Sequence, residues 1–278
     1  MINVYKIGLQ WYTNTDRNGG LFEYDIIEKE LSDIVTDKNV LVIVNGKLFN
    51  GEEDRLLEKM KYYDRTIFIA TDIVAFDDNK HIIDASDYLF HQSPAILKQF
   101  YYKPQLYSYV PELFYKYVSA KTIGHNGKLI FGGGVRDNKG IIMNYLKAVP
   151  STAYLKTSTE DNRIPYKEYL EELAKHSYSL VISRKQYQKL GWVTPRFVES
   201  IALGTLPICD CTYDKFKHFY CRDIVSDSIR LREIINDYEK SPQTYNLILD
   251  YYRDMVSKTA DTFKHIVIKL VGGYEKCL

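Results

Sequence analysis

Arg196 and Glu199 stand three residues apart in Thr194-Pro195-Arg196-Phe197-Val198-Glu199, a spacing that puts two side chains on one face of a helix. Pro195 suits the first helical position, where no N–H is needed. The pair therefore falls in the opening turns, beside free backbone amides and the positive end of the dipole. A cation and an acceptor so placed can hold a sugar nucleotide, with the diphosphate on Arg196 and the ribose hydroxyls on Glu199. The same spacing also describes an ordinary ion pair on a solvated helix. A second candidate is Phe131-Gly132-Gly133-Gly134-Val135-Arg136, a glycine-rich turn opening a helix. Gly133 and Gly134 let the backbone approach a phosphate, and Arg136 can give it two parallel bonds. The turn lacks the Gly-Lys-Ser/Thr ending of a P-loop and the spacing of the dinucleotide fingerprint, and a plain tight turn would use the same glycines. The third candidate is Asp72 in Ala70-Thr71-Asp72-Ile73. Inverting glycosyl transfer needs one carboxylate at the acceptor hydroxyl to take its proton and positive groups on the departing diphosphate; an aspartate after a strand can equally cap a turn. Lys185 and Tyr187, in Ser183-Arg184-Lys185-Gln186-Tyr187, read as sugar or phosphate contacts on the same rim or as surface residues.

These residues need elements to hold them. Apolar runs bounded by turn residues alternate with helix-period segments, the pattern of an α/β fold. In the first half, strands are predicted near 2–10, 39–44, 66–70 and 86–90, with helices near 22–34, 51–62 and 93–100. Val40-Leu41-Val42-Ile43-Val44 and Thr66-Ile67-Phe68-Ile69-Ala70 are nearly continuous apolar runs, as in strands covered on both faces. Residues 101–124, with Pro104, Pro111 and scattered tyrosines, read as a linker or hinge. A second series follows, with strands near 128–132, 152–156, 179–183 and 205–209 and helices near 137–147, 165–175 and 195–203. Residues 227–270 read as helical with a break at Ser241-Pro242. The simplest architecture is two doubly wound domains facing a central cleft, 1–115 and 116–278, the second carrying the helical tail. In such sheets ligands sit at the carboxyl ends of the strands, where strand order reverses, and each candidate site follows a predicted strand.

Charge is divided unevenly. Residues 1–115 carry 12 Lys+Arg against 18 Asp+Glu, a net of −6, and residues 116–278 carry 25 against 18, a net of +7, which places a phosphate-bearing ligand in the second half. No Arg-rich run marks a dedicated nucleic-acid arm. Cys209, Cys211, Cys221 and Cys277 have no zinc-type spacing and are too few for a disulfide scaffold, so reduced thiols are expected. The six histidines form no metal-ligand spacing and no nucleophile elbow occurs, which argues against metalloenzyme and hydrolase classes. The amino-terminal apolar run is too brief for a signal peptide or membrane span. No membrane association is expected, and the protein reads as cytoplasmic.

In order along the chain, these segments resemble the DNA β-glucosyltransferases of T-even bacteriophages. Leu41-Val42-Ile43-Val44-Asn45-Gly46 resembles the family's second strand, and Thr71-Asp72-Ile73 matches the Thr-Asp-Ile that carries its catalytic base. Val110-Pro111-Glu112 resembles the approach to its second domain. Gly133-Gly134-Val135-Arg136 matches the turn that binds the diphosphate. Lys185-Gln186-Tyr187 resembles a Lys-Asn-Tyr before the nucleotide helix, and Arg196-Phe197-Val198-Glu199 matches the Arg-x-x-Glu that grips diphosphate and ribose. The resemblance implies a GT-B fold, with an acceptor-side first domain and a donor-binding second domain. It implies inverting transfer from a UDP-sugar, UDP-glucose first, to a 5-hydroxymethylpyrimidine flipped out of double-stranded phage DNA. The enzyme would work as a monomer in the host cell cytoplasm. A divalent ion, Mg²⁺ or Mn²⁺, can neutralise a diphosphate, yet no Asp-x-Asp motif supplies one. Two rivals stand beside this reading: a GT-B enzyme acting on a glycan or protein, which the acidic first half favours, and a catalytically silent nucleotide-binding protein.

Overall fold

The computed structural model describes residues 1–8, 19–71, 75–93, 95–107, 115–118, 127–133, 138–149, 153–155, 164–213, 219, 221–260, 262–272 and 274–275. They form two compact units, Met1–Leu113 with Thr259–Leu278, and Phe114–Lys258.

In chain order the first unit contains β1 (Ile2–Lys6), α1 (Gly19–Leu31), β2 (Ile34–Val35), β3 (Val40–Val44), α2 (Glu52–Met60), β4 (Arg65–Ile69), α3 (Ala75–Asp78), α4 (Lys80–Ala85), β5 (Tyr88–His91), α5 (Ile96–Gln99) and β6 (Gln105–Tyr107). A parallel sheet runs β1-β3-β4-β5-β6. All five residues of β3 are fully buried, as its unbroken apolar run predicts for a strand covered on both faces. The expected linker begins as part of this sheet: β6 is its edge strand, and Pro104 stands just before it with its carbonyl accepting from Leu89 N at 3.1 Å. Proline is tolerated there because its missing donor falls outside the ladder.

The tail departs from expectation. Its last helix, α12 (Thr262–Val271, numbered after the second unit's helices below), belongs to the first unit rather than the second. The reason lies in strand order. The sheet's connections all run one way, so right-handed crossovers place their helices on one face. His91 and Phe90 are successive residues of β5 and point to opposite faces. The His91 ring meets Phe76 of α3 with centroids 6.2 Å apart, whereas Phe90 meets Phe263 of α12 at 5.8 Å. Thus α12 covers the face that the crossover helices leave open. Phe263, Val267 and Val271, spaced four apart, are its buried stripe. The hydroxyl of Thr36 donates to Val271 O at 3.2 Å, and a short β12 (Tyr274–Glu275) pairs antiparallel with β2.

The second unit contains β7 (Leu129–Gly132), α6 (Lys139–Ala148), β8 (Ala153–Leu155), α7 (Tyr166–Leu173), β9 (Tyr178–Val181), α8 (Lys185–Leu190), α9 (Arg196–Ala202), β10 (Leu206–Asp210), β11 (Ile224–Val225), α10 (Ser228–Lys240) and α11 (Pro242–Ala260). The parallel order is β11-β10-β9-β7-β8. From β7 the chain steps outward to β8 and then returns to the other side as β9, so strand order reverses between β7 and β9. The break at Ser241-Pro242 falls where α10 gives way to α11.

Phenols satisfy carboxylates in both units, buried at Asp210 and Glu52, half-buried at Asp223 and at the surface at Glu239. Tyr145 donates to Asp210 at 2.8 Å, Tyr178 to Glu239 at 2.7 Å, Tyr238 to Asp223 at 2.7 Å and Tyr5 to Glu52 at 2.9 Å. Burial, and then the neighbouring carboxylate, push these hydroxyls above their ordinary range, Tyr5 to about 12. The Cys209 thiol donates to Cys221 Sγ at 3.2 Å with both residues buried, and Cys211 is exposed.

Candidate functional site

The carboxyl ends of β7 and β9 flank the reversal, where a doubly wound sheet opens a ligand crevice. Three neighbouring segments build the site. The first is the end of β7, Gly132 and Gly133. The second is the loop after β9: Ser183 O accepts from Asn138 Nδ2 at 2.8 Å and Gln188 Nε2 at 2.7 Å, which ties it to the start of α6. The third is α9.

The local sequence fixes where α9 begins. Gly191 ends α8 in the left-handed region at φ 68°, a conformation glycine adopts without steric cost. Trp192 and Val193 are buried and anchor the loop. Pro195 precedes the first turn, and its carbonyl accepts from Glu199 N at 2.8 Å. Phe197 holds the helix down: its ring stacks on Phe219 at 4.7 Å and meets Tyr252 edge-on at 5.1 Å. Ser179 of β9 donates to the Ser200 hydroxyl, which donates to Arg196 O, both at 2.7 Å. After α9, Thr205 donates through Oγ1 to the carbonyls of Leu173 and His176, each at 3.0 Å. The helix is thus locked to the sheet on both sides.

Held this way, half-buried Arg196 reaches the glycine turn. A Cβ at Gly133 would lie 2.1 Å from Arg196 Nη1 and 2.7 Å from Cζ, and the backbone there has φ 156°. A Cβ at Gly132 would lie 2.3 Å from the ring of Tyr169. Each glycine therefore makes room for a different partner, Gly133 for a guanidinium and Gly132 for a tyrosine. Glu199 is 2% exposed, and its oxygens accept from two α7 tyrosines, Oε1 from Tyr166 at 2.5 Å and Oε2 from Tyr169 at 3.2 Å. The alternative of a solvated surface pair is overturned by this burial. Burial leaves the Glu199 pKa raised, against the opposing pull of the Tyr166 bond, the Arg196 charge and the Tyr169 bond. Tyr169 is raised well above its usual range by its own burial and then by the Glu199 charge.

Lys185 is exposed at the first residue of α8. Tyr187, half-buried two residues on, has the Arg184 guanidinium 5.9 Å from its ring centroid. Gly134, Arg136 and Asp72 lie outside the described residues. The residue before Asp72 is described: Thr71 donates through its backbone N and, at 3.0 Å, its hydroxyl to Asn45 Oδ1, at the end of β3.

Sequence reasoning missed several polar residues buried along the carboxyl edge of the first sheet. Lys6 donates to Asn45 O at 2.5 Å. Glu52 accepts from Gly8 N and Phe49 N, both at 2.9 Å. His91 pairs with Gln105 at 2.9 Å, and burial lowers its pKa while Gln105 and Ser93 oppose the shift. Their signal was available, since Lys6, Asn45, Thr71 and His91 all close apolar strands, where ligand sites are sought. Tyr166 and Tyr169 carried no such mark. Among the described residues no group of three His, Cys, Asp or Glu is set to hold a metal, and no helix is long and apolar enough to cross a membrane.

Two parallel α/β units, one with a glycine turn at the reversal of strand order, define the GT-B glycosyltransferase fold. The solved structures similar to this chain agree. T4 phage β-glucosyltransferase in complex with UDP-glucose matches with a TM-score of 0.70 at 15% identity, covering 97% of this chain and 99% of that one. The DNA-modifying enzyme β-glucosyltransferase, in the presence and absence of uridine diphosphoglucose, matches at 0.69, again at 15% identity, over 98% and 100%. An α-glucosyltransferase in complex with UDP and a 13-mer DNA containing a hydroxymethyluracil base matches at 0.61 and 11% identity, over 96% and 90%. No protein-family profile and no curated protein matches the sequence.

Proposed function

We propose that the chain is an inverting glycosyltransferase that moves a sugar, glucose first, from a UDP-sugar to the hydroxyl of a 5-hydroxymethylpyrimidine in double-stranded phage DNA. The observation that carries this reading is the Arg196 guanidinium set against Gly133 at the reversal of strand order, with Glu199 buried three residues on. The whole-length likeness to a β-glucosyltransferase seen with UDP-glucose supports the donor. The likeness to an α-glucosyltransferase seen with hydroxymethyluracil DNA supports the acceptor.

In this reading the second unit binds the donor. Arg196 and Arg136 hold the diphosphate, the amides of Gly133 and Gly134 stabilise the charge on the leaving group, and Glu199 takes the ribose. Lys185 and Tyr187 line the rim. The first unit serves the acceptor, with Asp72 as base. The acceptor oxygen forms a bond to the sugar's anomeric carbon as the bond from that carbon to the diphosphate breaks. UDP leaves with the electron pair, and the hydroxyl proton passes to Asp72. Among the described residues no group of His, Cys, Asp or Glu is set to hold Mg²⁺ or Mn²⁺; a divalent ion, if the reaction uses one, would neutralise charge on the departing diphosphate. The enzyme would act as a monomer in the cytoplasm of the host cell.

The net −6 of residues 1–115 favours a second reading, transfer to a glycan or protein, because duplex binding leans on Lys and Arg contacts. Labelled UDP-sugars offered with hydroxymethylated duplex, plain duplex and oligosaccharides, with and without Mg²⁺ or Mn²⁺, separate the two. The expected result is label in the hydroxymethylated duplex alone, lost in Asp72→Asn while UDP binding persists. Label in oligosaccharide favours the second reading; UDP binding without transfer to any acceptor marks a silent binder. Equal loss of UDP binding and transfer in Asp72→Asn would sink the assigned base.

A further inference from the structure

We infer that Tyr166 and Tyr169 are positioning residues that set Glu199 to recognise the vicinal hydroxyls of a ribose, so that the site selects ribonucleotide over deoxyribonucleotide donors. The inference rests on the reading that Glu199 takes the ribose. An ionised carboxylate has about four lone-pair sites on its two oxygens. Tyr166 fills one on Oε1 and Tyr169 one on Oε2, which leaves one on each oxygen. That is the arrangement two adjacent hydroxyls require.

The tyrosines are themselves held in place. They lie three apart on α7, on one face of the helix, with ring centroids 6.1 Å apart. Tyr169 is buried against Gly132, whose missing Cβ opens the space for its ring. The path from the β7 turn through Tyr169 to Glu199 is therefore continuous. The phenols also act on charge. Burial favours a protonated Glu199, which could offer a proton but would lose acceptor sites. The groups facing this carboxyl are Tyr166 and Tyr169 from α7 and Arg196 from α9, and all three favour the ion. An ion held by neutral donors remains free to accept, whereas one locked in a bidentate arginine pair would have its lone pairs spent.

The test is to titrate UDP and 2′,3′-dideoxy-UDP into the parent protein, Tyr166→Phe and Tyr169→Phe, at several pH values from about 5 to 8. The parent is expected to prefer UDP by about tenfold or more, the effect of roughly one charge-assisted hydrogen bond. In Tyr166→Phe the preference should fall to about twofold through weaker UDP binding alone, with dideoxy-UDP unchanged, since the diphosphate and base contacts that remain to it do not use Glu199. UDP binding by this variant should also rise with pH across the acid range, because Glu199 has lost a donor that keeps it ionised. Tyr169→Phe should show the same loss of preference, more weakly, since its bond is longer. Equal weakening of both nucleotides, or an unchanged preference, would overturn the inference by reducing the phenols to packing. A parent that binds UDP without regard to the ribose hydroxyls overturns it while leaving the donor site intact. A parent that binds neither nucleotide overturns the donor reading as well.

Discussion

Gly133→Ala is the sharpest perturbation of the donor site. The new Cβ would sit 2.1 Å from Arg196 Nη1 and 2.9 Å from Nη2. Ordinary contact begins near 3.4 Å, so the guanidinium must retreat by about 1.3 Å, enough to break a bidentate bond whose donors work near 2.8 Å. The far end of an arginine can move, so the fold absorbs the clash and the strain that φ 156° adds, of order 1–3 kcal/mol. The ligand does not absorb it: a charge-assisted bond contributes about 1.5–3 kcal/mol, so UDP affinity should fall by roughly 10- to 150-fold. Calorimetric titration of UDP reads this directly, and a thermal melt confirms that the variant is folded. A double-mutant cycle isolates the cause. In Arg196→Ala the obstructed group is absent, so adding Gly133→Ala should cost nothing further. A folded Gly133→Ala protein that binds UDP within about twofold of the parent, or full additivity in the double variant, would refute the reasoning.

Two other outcomes follow from the first unit. Phe263→Ala empties the contact with Phe90 on the face that α12 covers and should cost about 3–5 kcal/mol in denaturant unfolding; a loss under about 1 kcal/mol would show that α12 does not close that face. Burial holds the His91 pKa below its ordinary 6.5, so as pH falls through that value the unfolded chain takes up the proton first and the folded protein loses stability. His91→Gln should flatten this acid slope in thermal midpoints compared at about pH 5.5 and 7.5, and an unchanged slope would assign it to other groups.

The sequence made the periodic elements visible because their signal is local. The predicted runs at 39–44, 66–70, 128–132 and 205–209 are strands within a residue or two, as short apolar runs between turn residues require. The helix that carries Arg196 and Glu199 was legible because a proline ahead of an apolar run marks a helix start, and a spacing of three puts both residues on one face. The return of the tail was not. The stripe of Phe263, Val267 and Val271 declares an amphipathic helix, yet which surface it covers depends on the one-way order of a sheet some 200 residues earlier. The two tyrosines on Glu199 were equally hidden, for 25 tyrosines are spread along the chain and only the packing of Tyr169 against Gly132 singles one out.

Satisfying the buried carboxylates of Glu52, Glu199 and Asp210 with phenols has a consequence for how the molecule meets salt. A phenol–carboxylate bond carries one charge, so mobile ions have no opposed pair to shield, and the described ion pairs are exposed helix-surface contacts or near neighbours of little weight. A polyanion resting on guanidinium groups is different, because at about 1 M electrolyte the screening length shrinks to roughly 3 Å. Concentrated brine should therefore strip the nucleotide from a scaffold that stays folded, and elution by salt would be gentle.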